Sequence, residues 1–293
     1  ILAVLMLAIS PIVYYVCFLN YEAFIFAMLT VAIVLYHNGN RNWSAVFISL
    51  GAMANSAVAA IGLTMIADYV IRVLWKNRKQ LMLLTIKQYF GETVRYAICF
   101  VPCLIPFVAQ GYYLGRDTFS GMADTANWLS RFLTYLFDPA LGFTSFAPIG
   151  LCLFFVFAVL SVVKKNCRAF TWIGMFLAVV GAYSLMPHIN SGMLFCARYV
   201  VWSYPLIPVF LVAFSTECLA KRTVFYLCMI SSVVSSLLLM LINPIEGAHM
   251  YNTTSKWLLK NVPFLYNENS ATFYSRTLHI DGAYDQTEPA YYK

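Results

Sequence analysis

Arg131-Phe132-Leu133-Thr134-Tyr135-Leu136-Phe137-Asp138-Pro139-Ala140-Leu141-Gly142-Phe143-Thr144-Ser145-Phe146-Ala147-Pro148-Ile149-Gly150 joins two kinds of segment. Up to Asp138, the residues Trp128, Leu129, Phe132, Leu133, Leu136 and Phe137 recur at helical spacing. That pattern predicts a helix lying in a membrane interface. From about Phe146 a long apolar run begins. The aspartate, the prolyl break and the glycine therefore stand where a helix resting on a bilayer meets one that crosses it.

Composition points the same way. Of 293 residues, 61% are hydrophobic and 11% charged, against about 25% charged in an ordinary soluble domain. The expected fold is all-α, a polytopic transmembrane helix bundle with an external interfacial helix and a small polar C-terminal tail. The net charge of +7 is what Lys- and Arg-rich cytoplasmic loops supply, so it argues for sidedness and against nucleic-acid binding. Eight cysteines are present. Most fall in apolar runs, with no CxxC or Cys/His metal spacing, so neither a disulfide nor a metal site is expected.

Loop charge orients the spans. Arg72, Lys76, Arg78 and Lys79 form the densest basic cluster, and Lys164-Lys165-Asn166-Cys167-Arg168 and Lys221-Arg222 form two more; all three are expected on the cytoplasmic face. The segments between them, 111–144 and 187–199, carry less basic charge and are expected outside. The chain so divides into transmembrane helices over 1–110, an external loop with the interfacial helix over 111–144, transmembrane helices over 145–242 and an external tail over 243–293. The run from Ala45 to Trp75 reads either as one tilted helix or as two short spans meeting near Asn55. Ile1-Leu2-Ala3 opens inside an apolar run, without the charged start of a signal peptide. We expect this chain to be the C-terminal portion of a longer protein.

Several side chains could carry chemistry. Asp68 and Arg72 are four apart on one helix face. Because they lie near the basic boundary, a structural ion pair explains them. Arg198 is the one basic residue between Arg168 and Lys221. It stands where an external loop enters an apolar run, placed to hold a phosphate bidentately or to anchor at the interface beside Tyr199 and Trp202. His188, after Pro187, reads as a loop residue that could also relay protons or meet a phosphate. Asp138 reads as the residue capping its turn, with contact to a sugar hydroxyl or cation as the alternative. Arg116-Asp117 reads as a solvated pair, and Asn42-Trp43-Ser44 and Asn252-Thr253-Thr254 match glycosylation acceptors.

Phe137-Asp138-Pro139-Ala140-Leu141-Gly142-Phe143-Thr144-Ser145-Phe146-Ala147-Pro148 resembles the L-F-x-P-x-x-G-L-F-x-x-x-P signature of bacterial GT-C type polytopic glycosyltransferases, relatives of the protein-O-mannosyltransferases. Asp138 stands where that signature often has Ser or Asn. Ser191 through Arg198-Tyr199 to Pro205 resembles the W-x-F-G-x-R-Y-L re-entry of the same group. Lys256-Trp257, Pro263-Phe264-Leu265-Tyr266-Asn267 and Phe273-Tyr274-Ser275-Arg276 resemble its K-W…P-x-L-Y-N-P…F-x-x-R end, with Glu268 replacing the final Pro. The stretch around Gly51 is similar to its helical hairpin, which favours splitting 45–75 in two.

The resemblance implies transfer of a sugar from a polyprenyl-phosphate donor to an acceptor at the external face of a bacterial inner membrane. It implies Arg198, with Tyr199 beside it, as the donor-phosphate contact and Asp138 as lining the same external cavity; His188 and Arg131, which lie in the external segments, are expected at that cavity as well. Membrane lipid is an expected partner, and no cofactor is implied. The acidic residue that would deprotonate the acceptor is expected in a first external loop. Glu22 is the one carboxylate before Asp68, so that residue is expected upstream. A transporter or flippase for lipid-linked saccharides, or a non-catalytic membrane scaffold, are the readings from other classes.

Overall fold

A computed structural model describes residues 12, 21–76, 83–105, 108–109, 112, 125, 127–185, 198–214, 219–241, 251, 253–266 and 273. The described residues are helical, with no strand among them. The longer helices are α1 (Tyr21–His37), α2 (Arg41–Ala54), α3 (Ala59–Lys76), α4 (Leu83–Ile98), α5 (Trp128–Phe137), α6 (Pro148–Val163), α7 (Cys167–Ser184), α8 (Leu206–Phe214), α9 (Lys221–Leu241) and α10 (Thr253–Asn261).

The turns follow from local chemistry. Gly39 has φ +84°, a left-handed conformation that costs glycine little. The Gly39 N–H donates to the Tyr36 carbonyl at 3.0 Å and the Asn40 N–H to the Leu35 carbonyl at 2.9 Å. These bonds close α1 and turn the chain straight into α2. Ser44 then donates to the Ala32 carbonyl at 2.7 Å and ties the two helices together. Ser44 is buried in this helix pair, while Asn42 and Trp43 of the same tripeptide are exposed. The run 45–75 is two helices. Asn55 is extended, and its side chain accepts from the Ala57 N–H at 3.1 Å, satisfying a donor at the start of the next helical segment. The break falls at the position the sequence marks, and it excludes a single tilted helix.

Prolines interrupt two further apolar runs. Pro102 lies in a 3-10 turn, Val101–Leu104, after α4 has ended at Ile98, so 96–110 does not continue as one helix. Likewise 199–214 is a one-turn helix, Arg198–Val201, then a turn, then α8. Pro205 cannot donate to the preceding turn, and Pro208 sits in the first turn of α8, where no N–H is needed. A single described segment, within Ser56–Val73, is long and apolar enough to cross a membrane; Tyr21–His37, Pro148–Val163 and Arg168–Ser184 are apolar but shorter.

Aromatic rings fill the centre. Phe154 lies 4.7 Å from both Phe176 and Phe210, and Phe143 lies 5.2 Å from Phe176. Small residues let the helices approach. A Cβ on Gly174 of α7 would stand 3.1 Å from Thr64 of α3, and one on Gly150 of α6 would stand 3.3 Å from Ser231 of α9. Close approach at Gly and Ser is how helices associate where apolar surroundings supply no hydrophobic drive between them.

Helix α9 is inside out by soluble standards. Its inward stripe is Val224, Cys228, Ser231 and Ser235, while Tyr226, Ile230, Val233 and Leu237 face outward with about half or more of their surface exposed. Exposed apolar side chains also occur on α3 at Leu63 and Ile71 and on α6 at Val156, Val159 and Val163.

Candidate functional site

Helix α7 sets the frame. Near its start Thr171 meets Asp68 of α3, and at its end Ser184 meets Arg131 of α5. Thirteen residues of helix separate these contacts, about 20 Å along the axis. The bundle therefore has two ends, and each holds a polar cluster.

At the first end Asp68 accepts from three elements. Arg72 donates through Nε to Oδ1 at 2.7 Å and to Oδ2 at 2.8 Å. Thr171 donates to Oδ1 at 2.5 Å, and the Tyr36 hydroxyl of α1 donates to Oδ2. The structural ion pair expected from the sequence is present, and it is the centre of a junction of α1, α3 and α7. His37 and Tyr36 both pack edge-on against Trp172 of α7. A carboxylate in this setting is tolerated because every strong lone-pair direction meets a donor. The sequence marks Asp68 and Arg72 but gives no signal for Thr171 or Tyr36, which lie 103 and 32 residues away.

At the second end α5 lies against the last turn of α7. Trp128 Nε1 donates to the Gly181 carbonyl at 3.0 Å and Arg131 Nε to the Ser184 carbonyl at 2.8 Å. The last carbonyls of a helix lack internal partners and carry partial negative charge, so a guanidinium there is favourable on both counts. Arg131 is buried. The stripe expected on α5 is accordingly split: Arg131, Thr134, Tyr135 and Leu136 face the bundle, while Leu129, Leu133 and Phe137 form an exposed apolar ridge.

The Asp138 corner follows directly. The Asp138 N–H donates to Thr134 O at 3.0 Å and ends α5. Its Oδ1 accepts from the Ala140 N–H at 2.7 Å and the Leu141 N–H at 3.0 Å. Its carbonyl accepts from the Gly142 N–H at 2.8 Å and the Thr144 hydroxyl at 3.0 Å. A Cβ on Gly142 would stand 2.5 Å from the Thr134 carbonyl oxygen and under 3.0 Å from the Asp138 N and O, so no larger residue fits. Asp138 is first a turn former, as the capping reading expects. The Tyr266 hydroxyl lies 3.4 Å from both carboxylate oxygens, which brings the tail to this corner.

The segment 198–204 reaches the same end. Arg198 and Tyr199 open the one-turn helix Arg198–Val201. Trp202 then packs edge-on against Tyr183 at 5.2 Å, and Tyr204 packs against Phe146 at 6.1 Å. The Trp202 indole N–H is fully buried and has no hydrogen-bond partner among the described residues. The side chains of Arg198 and Tyr199, and the whole of His188, lie outside what the structure describes. Glu22, fully buried in the first turn of α1, starts a helix whose last turn is in the Asp68 cluster, about 21 Å along the axis. The sequence marks it only as a solitary carboxylate. The chain matches no protein-family model, no curated protein and no solved structure.

Proposed function

We propose that this chain is the C-terminal portion of an integral-membrane glycosyltransferase of GT-C type, binding a polyprenyl-phosphate-linked sugar at the external face of a bacterial inner membrane. The observation that carries this reading is the convergence of three separated stretches at one end of the bundle. The Asp138 corner meets the tail through Tyr266, and the 198–204 re-entry meets both the corner and the end of α7 through Tyr204 and Trp202. These are the three stretches that resemble the family.

The polytopic part of the reading is supported by where the apolar surface lies. Outward Tyr226, Ile230, Val233 and Leu237, with serines turned inward, suit a helix whose solvent is hydrocarbon. The basic loops then share one compartment and Asp138, Ser184 and Tyr266 the other.

In this reading Arg198 holds the donor phosphate, and the unsatisfied indole N–H of Trp202 one turn later is a second donor at that level. Phosphate charge held in a partly desolvated site stabilises the leaving group as the glycosidic bond breaks. The Asp138 turn fixes the wall opposite.

The test is binding of a polyprenyl phosphate against the matching polyprenol by the chain reconstituted in nanodiscs. A preference for the phosphate that Arg198→Ala removes supports the proposal. Equal retention of the two lipids by the unaltered chain overturns it.

A further inference from the structure

The opposite end of the bundle carries an arrangement that donor binding does not use. Arg41, the first residue of α2, holds its guanidinium 5.4 Å above the ring of Tyr69 on α3. Tyr69 in turn lies 5.1 Å from the ring of Tyr96 on α4. The Tyr96 hydroxyl is fully buried, with no hydrogen-bond partner among the described residues, and Arg41 is within electrostatic range of it. One turn beyond Tyr69, Arg72 is engaged through Nε by Asp68 and reaches Thr171 through Nη2 at 3.4 Å. Arg168, exposed, stands one turn before Thr171 on α7.

Three guanidinium groups therefore flank one junction, and they differ in what occupies them. Arg72 is paired with a carboxylate. Arg41, half-buried, makes no ion pair with a described residue and is held by the ring beneath it. Stacking on an aromatic face orients a guanidinium while leaving its N–H edges open, the geometry that a phosphodiester oxygen pair accepts. A buried hydroxyl without a partner is a second donor at the same place, costly to keep unless something accepts from it. The surroundings are apolar and outward: Trp43, two residues from Arg41, and Ile71, beside Arg72, are both more than half exposed. A cationic cradle under exposed apolar side chains fits a ligand that is anionic at one end and hydrocarbon at the other.

We infer that Arg41, with Tyr69, Tyr96 and Arg72 around it, forms a site for the phosphodiester headgroup of an anionic phospholipid at the basic face of the bundle. The inference needs the chain to be membrane-embedded but not to transfer sugar, and its residues are separate from Arg198.

The experiment is native mass spectrometry of the detergent-purified chain titrated with phosphatidylglycerol or phosphatidylcholine. The unaltered chain retains phosphatidylglycerol preferentially. Arg41→Gln weakens that retention about fivefold, the effect of one basic residue near an anionic surface, and leaves phosphatidylcholine unchanged. Lys221→Gln, at the exposed start of α9, has a smaller effect. Should Arg41→Gln not yield folded protein, Arg41→Met, which removes the charge but keeps an unbranched stem, carries the same comparison.

Equal retention of both lipids by the unaltered chain overturns the site, as does phosphatidylglycerol retention that Arg41→Gln does not change. Full displacement of phosphatidylglycerol by millimolar inorganic phosphate would identify a soluble-anion site and overturn the lipid assignment. Arg41→Gln should leave the polyprenyl-phosphate preference intact, so failure here is distinguishable from failure at Arg198.

Discussion

The hydroxyl of Tyr266 lies 3.4 Å from both carboxylate oxygens of Asp138, 128 residues earlier in the chain. Both residues are buried. The contact is long, so its own contribution is small; its value is as a marker of where the tail sits. The turn does not need Tyr266, because Oδ1 is already held by two backbone N–H groups.

That division gives an ordered set of outcomes. Tyr266→Phe should cost under about 1 kcal/mol. Asp138→Asn keeps an acceptor on the Ala140 and Leu141 N–H groups and should also be mild. Asp138→Ala strands two buried donors and should cost about 1–3 kcal/mol. Denaturation midpoints in detergent test the order, and an Asn variant as damaging as the Ala variant would show that the charge, not the turn, is what matters at 138.

Gly142→Ala should be among the most damaging single-methyl changes in the chain. The added Cβ would stand 2.5 Å from the Thr134 carbonyl oxygen, which is backbone at the end of α5 and cannot swing away. Overpacking of this kind costs about 1–3 kcal/mol. Gly91→Ala, where a Cβ would meet nothing within 4 Å, is the matched control on α4, and comparison of the two folded yields checks the argument.

How much of this was legible beforehand depends on whether a contact is local. Asn55 as a break, Asp138 as a turn former and the Asp68–Arg72 pair each need only residues within a few positions, and each reads correctly from the sequence. Arg131 does not. Nothing near it in sequence indicates that it is buried against the last carbonyls of α7, where its Nε donates to Ser184, 53 residues away. Thr171 and Tyr36 at Asp68 fail to announce themselves for the same reason. Proline breaks are local too: Pro102 and Pro205 mark interruptions of the apolar runs 96–110 and 199–214, and the helices are interrupted there.

At the Asp68 junction, Asp68→Ala removes the acceptor for Tyr36, Thr171 and Arg72 together. Arg72 retains some access to solvent, which lessens the penalty of leaving its charge unpaired. The expected cost is about 1–3 kcal/mol. Thr171→Val should cost less, since Arg72 and Tyr36 stay bonded. A double-mutant cycle between Asp68→Ala and Arg72→Met should return a coupling energy well above the experimental error, and additive effects would mean that the pair contributes nothing beyond its members.

Helix α9 gives the sharpest separation between a bundle in hydrocarbon and one in water. Val233 is outward and half exposed near the middle of Lys221–Leu241, while Ser231 faces inward against Gly150. In a bilayer, Val233→Lys puts an ammonium at mid-span, a penalty of about 2.5–3.5 kcal/mol on insertion scales. In water the same change would be neutral or would improve solubility. Ser231→Leu should be damaging in either medium, because the helices touch there. A glycosylation-site insertion assay with the 221–241 segment in its own flanking sequence reads the difference. Reduced insertion for Val233→Lys is the expected result, and unaltered insertion, together with a soluble, monodisperse Val233→Lys protein purified without detergent, would remove the bundle from the membrane.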